Sequence, residues 1–279
     1  MRHKHYLLSF SLAAVSVASM FFTVGQSAQQ TVPAPAQSRL DYQTGATLYM
    51  QKSAEYRAIC YQTFAWAKRA LADDDKSRRK LPKAERKKAR AVIVDIDETM
   101  LDNSPAQAKG IKTETSFNSK DWYAWTSKRS AKAIPGAIDF ANFAKAHDIR
   151  VFYVSNRDES EKQATIDNLK SVGFPDVSDE FVMLRQKEST KEPRRQKIAE
   201  TYRIVLLIGD NLNDHADYFE KKNVADRFAE TDRVRDLFGS KFIVLPNAMY
   251  GEWESAIYEY KRLSEADKAD KRMSALELP

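Results

Sequence analysis

Cysteine is nearly absent from the chain. Of 279 residues only Cys60 is one, so no intramolecular disulfide can form and the fold must rest on its apolar core. No cysteine stands at the end of the N-terminal apolar run, which removes the attachment point for a lipid there. Histidine is scarce as well, at four residues, and forms no cluster with cysteine. A resident metal would therefore be held by oxygen. No internal repeat is visible. Neither sign of charge dominates: the net charge is +6, or +4 without Arg2 and Lys4. That surplus helps attract an anionic substrate but is too small to argue for nucleic-acid binding.

What is present suffices for a globular protein. Hydrophobic residues make up 43% and aromatics 11%, enough for a core. The length suits one main domain plus a small accessory piece. The basic residues are uneven, with nine Lys or Arg against Glu85 alone in residues 76–90. No aromatics interleave with them, so the run reads as a solvated linker before the first core strand.

The N-terminus reads as a targeting signal spanning residues 1–28. Arg2 and Lys4 precede an uncharged run, residues 6–24, and small residues follow at Gly25, Ser27 and Ala28. A membrane anchor is the alternative, since the run is just long enough to span a bilayer. The small and polar residues directly after it favour cleavage, and so a periplasmic or secreted protein. Residues 29–42, rich in Gln, Ala, Pro and Ser, read as a flexible leader within a segment, 29–90, that ends in helix. Tyr49, Ser53, Tyr56, Cys60, Thr63, Ala67 and Ala70 recur at helical spacing, widened by Leu48, Ile59, Phe64 and Leu71, which predicts one long helix over 44–71.

From residue 91 to 279 strands alternate with helices. Apolar runs AVIVDID, RVFYVSNR, FVML, RIVLLIGDN and KFIVLPN are separated by helical stretches at 135–147, 160–171 and 192–201, and a last helix is expected from Gly251 to Leu263. This pattern predicts an α/β fold, a parallel sheet with helices on both faces. Four runs end in polar residues: Asp95 and Asp97, Ser155 and Asn156, Asp210 and Asn211, Pro246 and Asn247. Ligands of an open parallel sheet bind beyond the carboxyl ends of its strands, so these residues converge on one rim.

Taken singly, each is ambiguous. Asp-x-Asp after a strand is commonly a turn or cap, Asp210-Asn211 can start a helix, Ser155 can be a cap and Lys191 a surface charge. Together they compose a reaction centre. Asp95, Asp97, Asp210 and Asp214 at one rim would repel one another unless a cation sat among them, and all-oxygen ligation suits Mg²⁺. An aspartate can attack phosphorus to give an aspartyl-phosphate. A second carboxyl can protonate the leaving oxygen and then activate water. Ser155 can donate to a phosphoryl oxygen, and Lys191 can supply fixed positive charge.

The order Asp-x-Asp, Ser, Lys and an acidic pair resembles the haloacid-dehalogenase (HAD) superfamily. The strings VDIDETMLDNSP and IGDNLND resemble its class C bacterial acid phosphatases, exported enzymes that include 5′-nucleotidases. QKSAEY, DWYAWTSKR, AIPGAIDF, VFYVSNR and LPNAMYGEWE extend the likeness over most of the chain. The resemblance implies a HAD-like Rossmannoid sheet with a small helical accessory domain. It implies Asp95 as nucleophile and metal ligand, and Asp97 as acid/base with its backbone carbonyl on Mg²⁺. Asp210 would be a further ligand, with Asp214 supporting the metal shell. Ser155, Asn156 and Lys191 would hold the phosphoryl group, and Tyr250 would stack on a nucleobase, with core packing as its alternative. The substrate would be a small phosphomonoester, and a homodimer is compatible with the reading.

Two departures stand out. Ala106 follows Pro105 where the family usually has tyrosine, which bears on a substrate contact. His215 follows Asp214 where phenylalanine is usual, either a titratable group beside the metal shell or a solvent-facing helix residue. Other classes share parts of the pattern. A phosphotransferase of the same superfamily would carry the same motifs, and a noncatalytic storage or adhesion protein could share the fold. A dehalogenase would lack Asp97 as acid/base.

Overall fold

The computed structural model describes residues 41–188 and 190–279. The targeting segment 1–28 and most of the leader lie outside the described residues. Two helices come first, α1 (Thr44–Lys52) and α2 (Ala54–Ser77), where one was expected. Ser53 makes the break. Its backbone is extended, and its hydroxyl accepts from the Tyr56 amide at 2.9 Å, an N-cap that starts α2 afresh. The break also corrects the predicted stripe. Beyond it Tyr56, Cys60, Phe64, Ala67 and Leu71 are buried as expected. Before it α1 buries Thr47 and Met50 and leaves Leu48 and Tyr49 exposed, and Ile59 on α2 is exposed too.

The basic run holds a short helical turn and α3 (Lys83–Lys87), neither with a buried residue. Then comes β1 (Ala89–Val94). An excursion leaves its end: β2 (Leu101–Asp102), α4 (Ser104–Lys112), α5 (Ser119–Thr126) and β3 (Lys132–Ala133), with β2 and β3 antiparallel. The alternation resumes with α6 (Ala137–Ala146), β4 (Ile149–Asp158), α7 (Lys162–Ser171), β5 (Val182–Arg185), α8 (Glu192–Thr201) and β6 (Tyr202–Gly209). It closes with α9 (Val224–Arg233), β7 (Phe242–Val244), α10 (Glu252–Ile257) and α11 (Glu265–Ser274). The expected helix over 251–263 is thus shorter, ending at Ile257, and α11 begins only beyond it. Glu259 and Tyr260 take positive φ, 53° and 58°, which stops α10. Among the described residues no helix is long and apolar enough to cross a membrane.

The five long-range strands form one parallel sheet in the order β5-β4-β1-β6-β7, as the alternation predicts. Successive residues of β1 face opposite sides. Val92 and Val94 pack with Val151, Tyr153, Leu206 and Ile208 against α2, α6 and α7. Ala91 and Ile93 pack with Phe152, Val154 and Leu207 against Ile198 of α8, Phe219 and Val234. Burying both faces fixes the strand ends relative to one another, and the ends of β1, β4 and β6 carry the polar residues.

Candidate active site

Asp95 follows β1 directly, and its amide still pairs with Ile208 of β6 at 2.8 Å. Its carboxylate is buried and paired with the Lys191 ammonium. Lys191 caps the start of α8 and also reaches Asp214 at 2.7 Å. Burial pushes the Asp95 carboxyl up to about 7; Lys191 opposes this, while Asp214 and Asp97 add to it. Burial works against the Lys191 charge too, but Asp214 and Asp95 outweigh it and hold the ammonium above its ordinary range.

Asp210 lies one residue past β6. Thr99 donates to one of its oxygens at 3.3 Å and the Asn247 amide to the other at 2.8 Å. Burial first, then Asp214 and Asp95, hold its carboxyl well above the usual range. Asp214 closes a short helical turn, Leu212–Asp214, rather than sitting inside an α-helix. Its carboxylate accepts from the Asn211 amide at 3.0 Å. It lies over Gly209, where a Cβ would collide with the Asp214 side chain, so the chain needs glycine at this strand end.

Asp95, Asp210 and Asp214 offer carboxylate oxygens all within 4.8 Å of one another. The donor set is all oxygen and mostly buried, and among the described residues Lys191 is the cation paired directly with it. A divalent cation fits this arrangement.

Asp97 points elsewhere. One oxygen accepts from Arg157 Nη2 and from Asn103 Nδ2, both at 2.8 Å, and the other accepts from Ser155 Oγ at 3.1 Å. Ser155 is thus engaged with Asp97, and it is fully buried. The Asn156 side chain is anchored by Arg194 Nη2 at 2.7 Å. All eight residues singled out in the sequence, Tyr250 included, line one cavity of about 990 Å³. Ala106 lines it as well. His215 does not face solvent. It is buried, its ring nitrogens lie 3.2 Å from the Asn211 carbonyl and 3.0 Å from that of Ile243, and burial lowers its pKa.

Several site residues escaped the sequence reading. Arg157 binds Asp97 across 60 positions, and Arg195 on α8 donates to the Asn213 and Asp214 carbonyls at 3.2 and 3.1 Å. Their only signal was place: Arg157 ends VFYVSNR, and Arg195 lies four residues beyond Lys191. The excursion after β1 gives the cavity an aromatic wall of Phe117, Trp122, Tyr123 and Trp125.

Residues 1–253 match the family model described as HAD superfamily, subfamily IIIB (acid phosphatase). The chain belongs to this family. The class C acid phosphatase from Bacillus anthracis is similar in sequence and fold: 37% identical, TM-score 0.80, with 86% of this chain and 99% of that one covered. Its tungstate-bound structure agrees, at 38% identity, TM-score 0.79 and coverages of 86% and 98%. Acid phosphatase 1 of Solanum lycopersicum is 25% identical over 130 residues, 44% of this chain and 50% of that one. The chain spans about half the length of the curated relatives it matches.

Proposed function

We propose that the protein is an exported, Mg²⁺-dependent acid phosphatase that hydrolyses phosphomonoesters through an aspartyl-phosphate on Asp95. One observation carries this reading: a buried carboxylate, Asp95, lies beside a fixed ammonium and two further carboxylates, in a cavity that also holds Asp97. Mg²⁺ held by Asp95, Asp210 and Asp214, with the backbone carbonyl of Asp97, would offset negative charge on the phosphoryl oxygens.

The chain's own residues divide the remaining work. An Asp95 oxygen attacks phosphorus as the bond to the leaving oxygen breaks, and Asp97 gives that oxygen its proton. The alcohol departs, leaving the aspartyl-phosphate. Asp97, now a carboxylate, takes a proton from water as the water oxygen attacks phosphorus. The bond to Asp95 breaks, and inorganic phosphate is released. Lys191 supplies fixed positive charge beside the transferred group, while Ser155 and Asn156 lie within reach of its oxygens at the end of β4. The similar Bacillus anthracis enzyme binds tungstate, an oxyanion, which supports an oxyanion-binding role here. Tyr250 and the aromatic wall support a nucleoside monophosphate as one substrate, and residues 1–28 support export.

The test is hydrolysis of p-nitrophenyl phosphate. Activity should vanish with EDTA and return with Mg²⁺. Asp95→Asn should lower it by roughly 10³ or more and abolish trapping of a phosphoenzyme. Full activity after metal removal, or in the Asp95→Asn variant, would overturn the reading. Running adenosine monophosphate alongside, with Tyr250→Ala, tests the nucleobase contact. An unchanged ratio between the two substrates would make Tyr250 a packing residue.

A further inference from the structure

Asp97 must hold its proton where a leaving oxygen will be, yet it sits on a loop. The next residue, Glu98, takes a positive φ of 58°. Three side chains seize the Asp97 carboxylate. Asn103 and Ser155 are neutral, single donors. Arg157 brings a fork: Nε at 3.0 Å and Nη2 at 2.8 Å from Oδ1, with Nε also 3.3 Å from Oδ2. It is the only charged donor on Asp97 among the described residues.

Arg157 is itself immobilised. Its side chain is 2% exposed. Nη1 donates to Thr165 of α7 at 3.0 Å, the guanidinium lies 5.6 Å from the Trp122 ring, and its backbone amide donates to Ser155 Oγ at 3.1 Å. Arg157 lines the cavity, but each of its side-chain nitrogens already has a protein partner, Asp97 or Thr165. A planar fork locked in this way fixes both position and rotation of a carboxylate, which a lysine cannot do.

We propose that Arg157 is a positioning residue that acts through Asp97, setting the direction in which that carboxyl delivers its proton. This rests on the reading of Asp97 as the acid/base. A direct phosphate ligand would behave differently: its loss would raise KM for every phosphomonoester alike. Loss of a positioning residue for the acid lowers kcat, and lowers it most where the leaving oxygen needs the proton. Alkyl phosphates need it, and p-nitrophenyl phosphate, with its weakly basic leaving group, scarcely does.

The test compares wild type, Asp97→Asn, Arg157→Ala, Arg157→Lys and the Arg157→Ala/Asp97→Asn double variant on an alkyl phosphate and p-nitrophenyl phosphate. Arg157→Ala should lose at least about tenfold more kcat on the alkyl ester, part of the 10²–10⁴ that proton transfer supplies, with KM nearly unchanged. Arg157→Lys keeps the buried charge without the fork, so it should show a smaller loss with the same selectivity; it decides the matter if Arg157→Ala does not fold. In the Asp97→Asn background Arg157→Ala should add no further selectivity. Equal losses on both substrates, a KM rise shared by both, or independent losses in the double variant would overturn the proposal. Should Asp97→Asn itself lack selectivity, the acid role of Asp97 fails and the proposal with it. Selectivity in Asp97→Asn without it in either Arg157 variant condemns the Arg157 proposal alone.

Discussion

Asp95 and Asp210 are carboxylates kept where water would otherwise solvate them. Burial raises Asp95 to about 7 and Asp210 well above the usual range; Asp214 raises both further, and Asp95 adds to the rise at Asp210. Both groups therefore hold their protons to higher pH than ordinary carboxyls, and a cation entering the site must displace them. The sign follows directly. Raised carboxyls make Mg²⁺ affinity low in acid, and affinity climbs as pH rises towards Asp95's value. For one displaced proton the slope approaches about tenfold per pH unit. Titration calorimetry of the metal-free protein with Mg²⁺, between about pH 5 and 7 and in two buffers of different ionisation enthalpy, should show both the tightening and the proton release. A dissociation constant flat across that range, with no protons released, would mean that the carboxylates are already ionised without metal. Thr99 and Asn247 would then supply more stabilisation to Asp210 than two neutral donors are expected to give.

One helix ties the site's parts together. α8 carries Lys191 at its cap, Arg194 one turn on and Arg195 beside it. Arg194 holds the end of β4 through the Ser155 carbonyl at 2.6 Å, and Arg195 holds the turn after β6 through the Asp214 carbonyl. Arg195→Ala removes a charged donor from two backbone carbonyls of the turn that carries Asp214. We expect about 1–3 kcal/mol of stability to be lost and Mg²⁺ affinity to fall by roughly tenfold or more, as for other outer-shell partners. Urea unfolding and calorimetric Mg²⁺ binding measure the two separately; lost stability with unchanged Mg²⁺ affinity would confine Arg195 to a packing role. The elements differed in how legible they were. β1, β4 and β6 are long apolar runs ending in polar residues, so both the strands and the convergence of Asp95, Ser155 and Asp210 could be read. The break at Ser53 could not, because a serine in an apolar stripe is ambiguous until its hydroxyl is seen on the Tyr56 amide. α4 and α5 were missed because they are short and line a cavity, leaving no continuous apolar stripe. Arg157 and Arg195 were missed because a fork on a distant carboxylate or carbonyl leaves no spacing pattern.

Among the described residues, buried and half-buried charges meet at both ends of the sheet. The rim at the strands' carboxyl ends gathers Asp95, Asp210 and Asp214. At the opposite end Arg90 pairs with Asp75 and donates to the His147 carbonyl at 2.7 Å, while Arg203 forks onto Asp74 at 2.7 and 2.6 Å. These contacts join α2 to β1 and β6 at the end of the sheet away from Asp95. Lys241, just before β7, belongs to this end and donates to the Ile204 carbonyl. The carboxylate that acts on it, Asp74, is paired with Arg203 instead. Burial lowers its pKa to about 8 from an ordinary 10.5; Arg203 adds to the fall and Asp74 resists it. Between those two values the unfolded chain holds the proton and the folded protein releases it, so stability rises with pH across that window. Below about 8 both states are protonated and the cost of the buried ammonium is constant. Lys241→Met removes the titration while keeping most of the stem. Urea unfolding of both proteins at a series of pH values isolates the effect, because tyrosines and other groups that titrate nearby cancel in the difference. Wild type should gain on the variant as pH rises through the window and hold level below it. A difference that stays flat, or that falls with pH, would mean that Lys241 is charged and well solvated in the folded protein, and that the far end of the sheet carries no buried, unpaired cation.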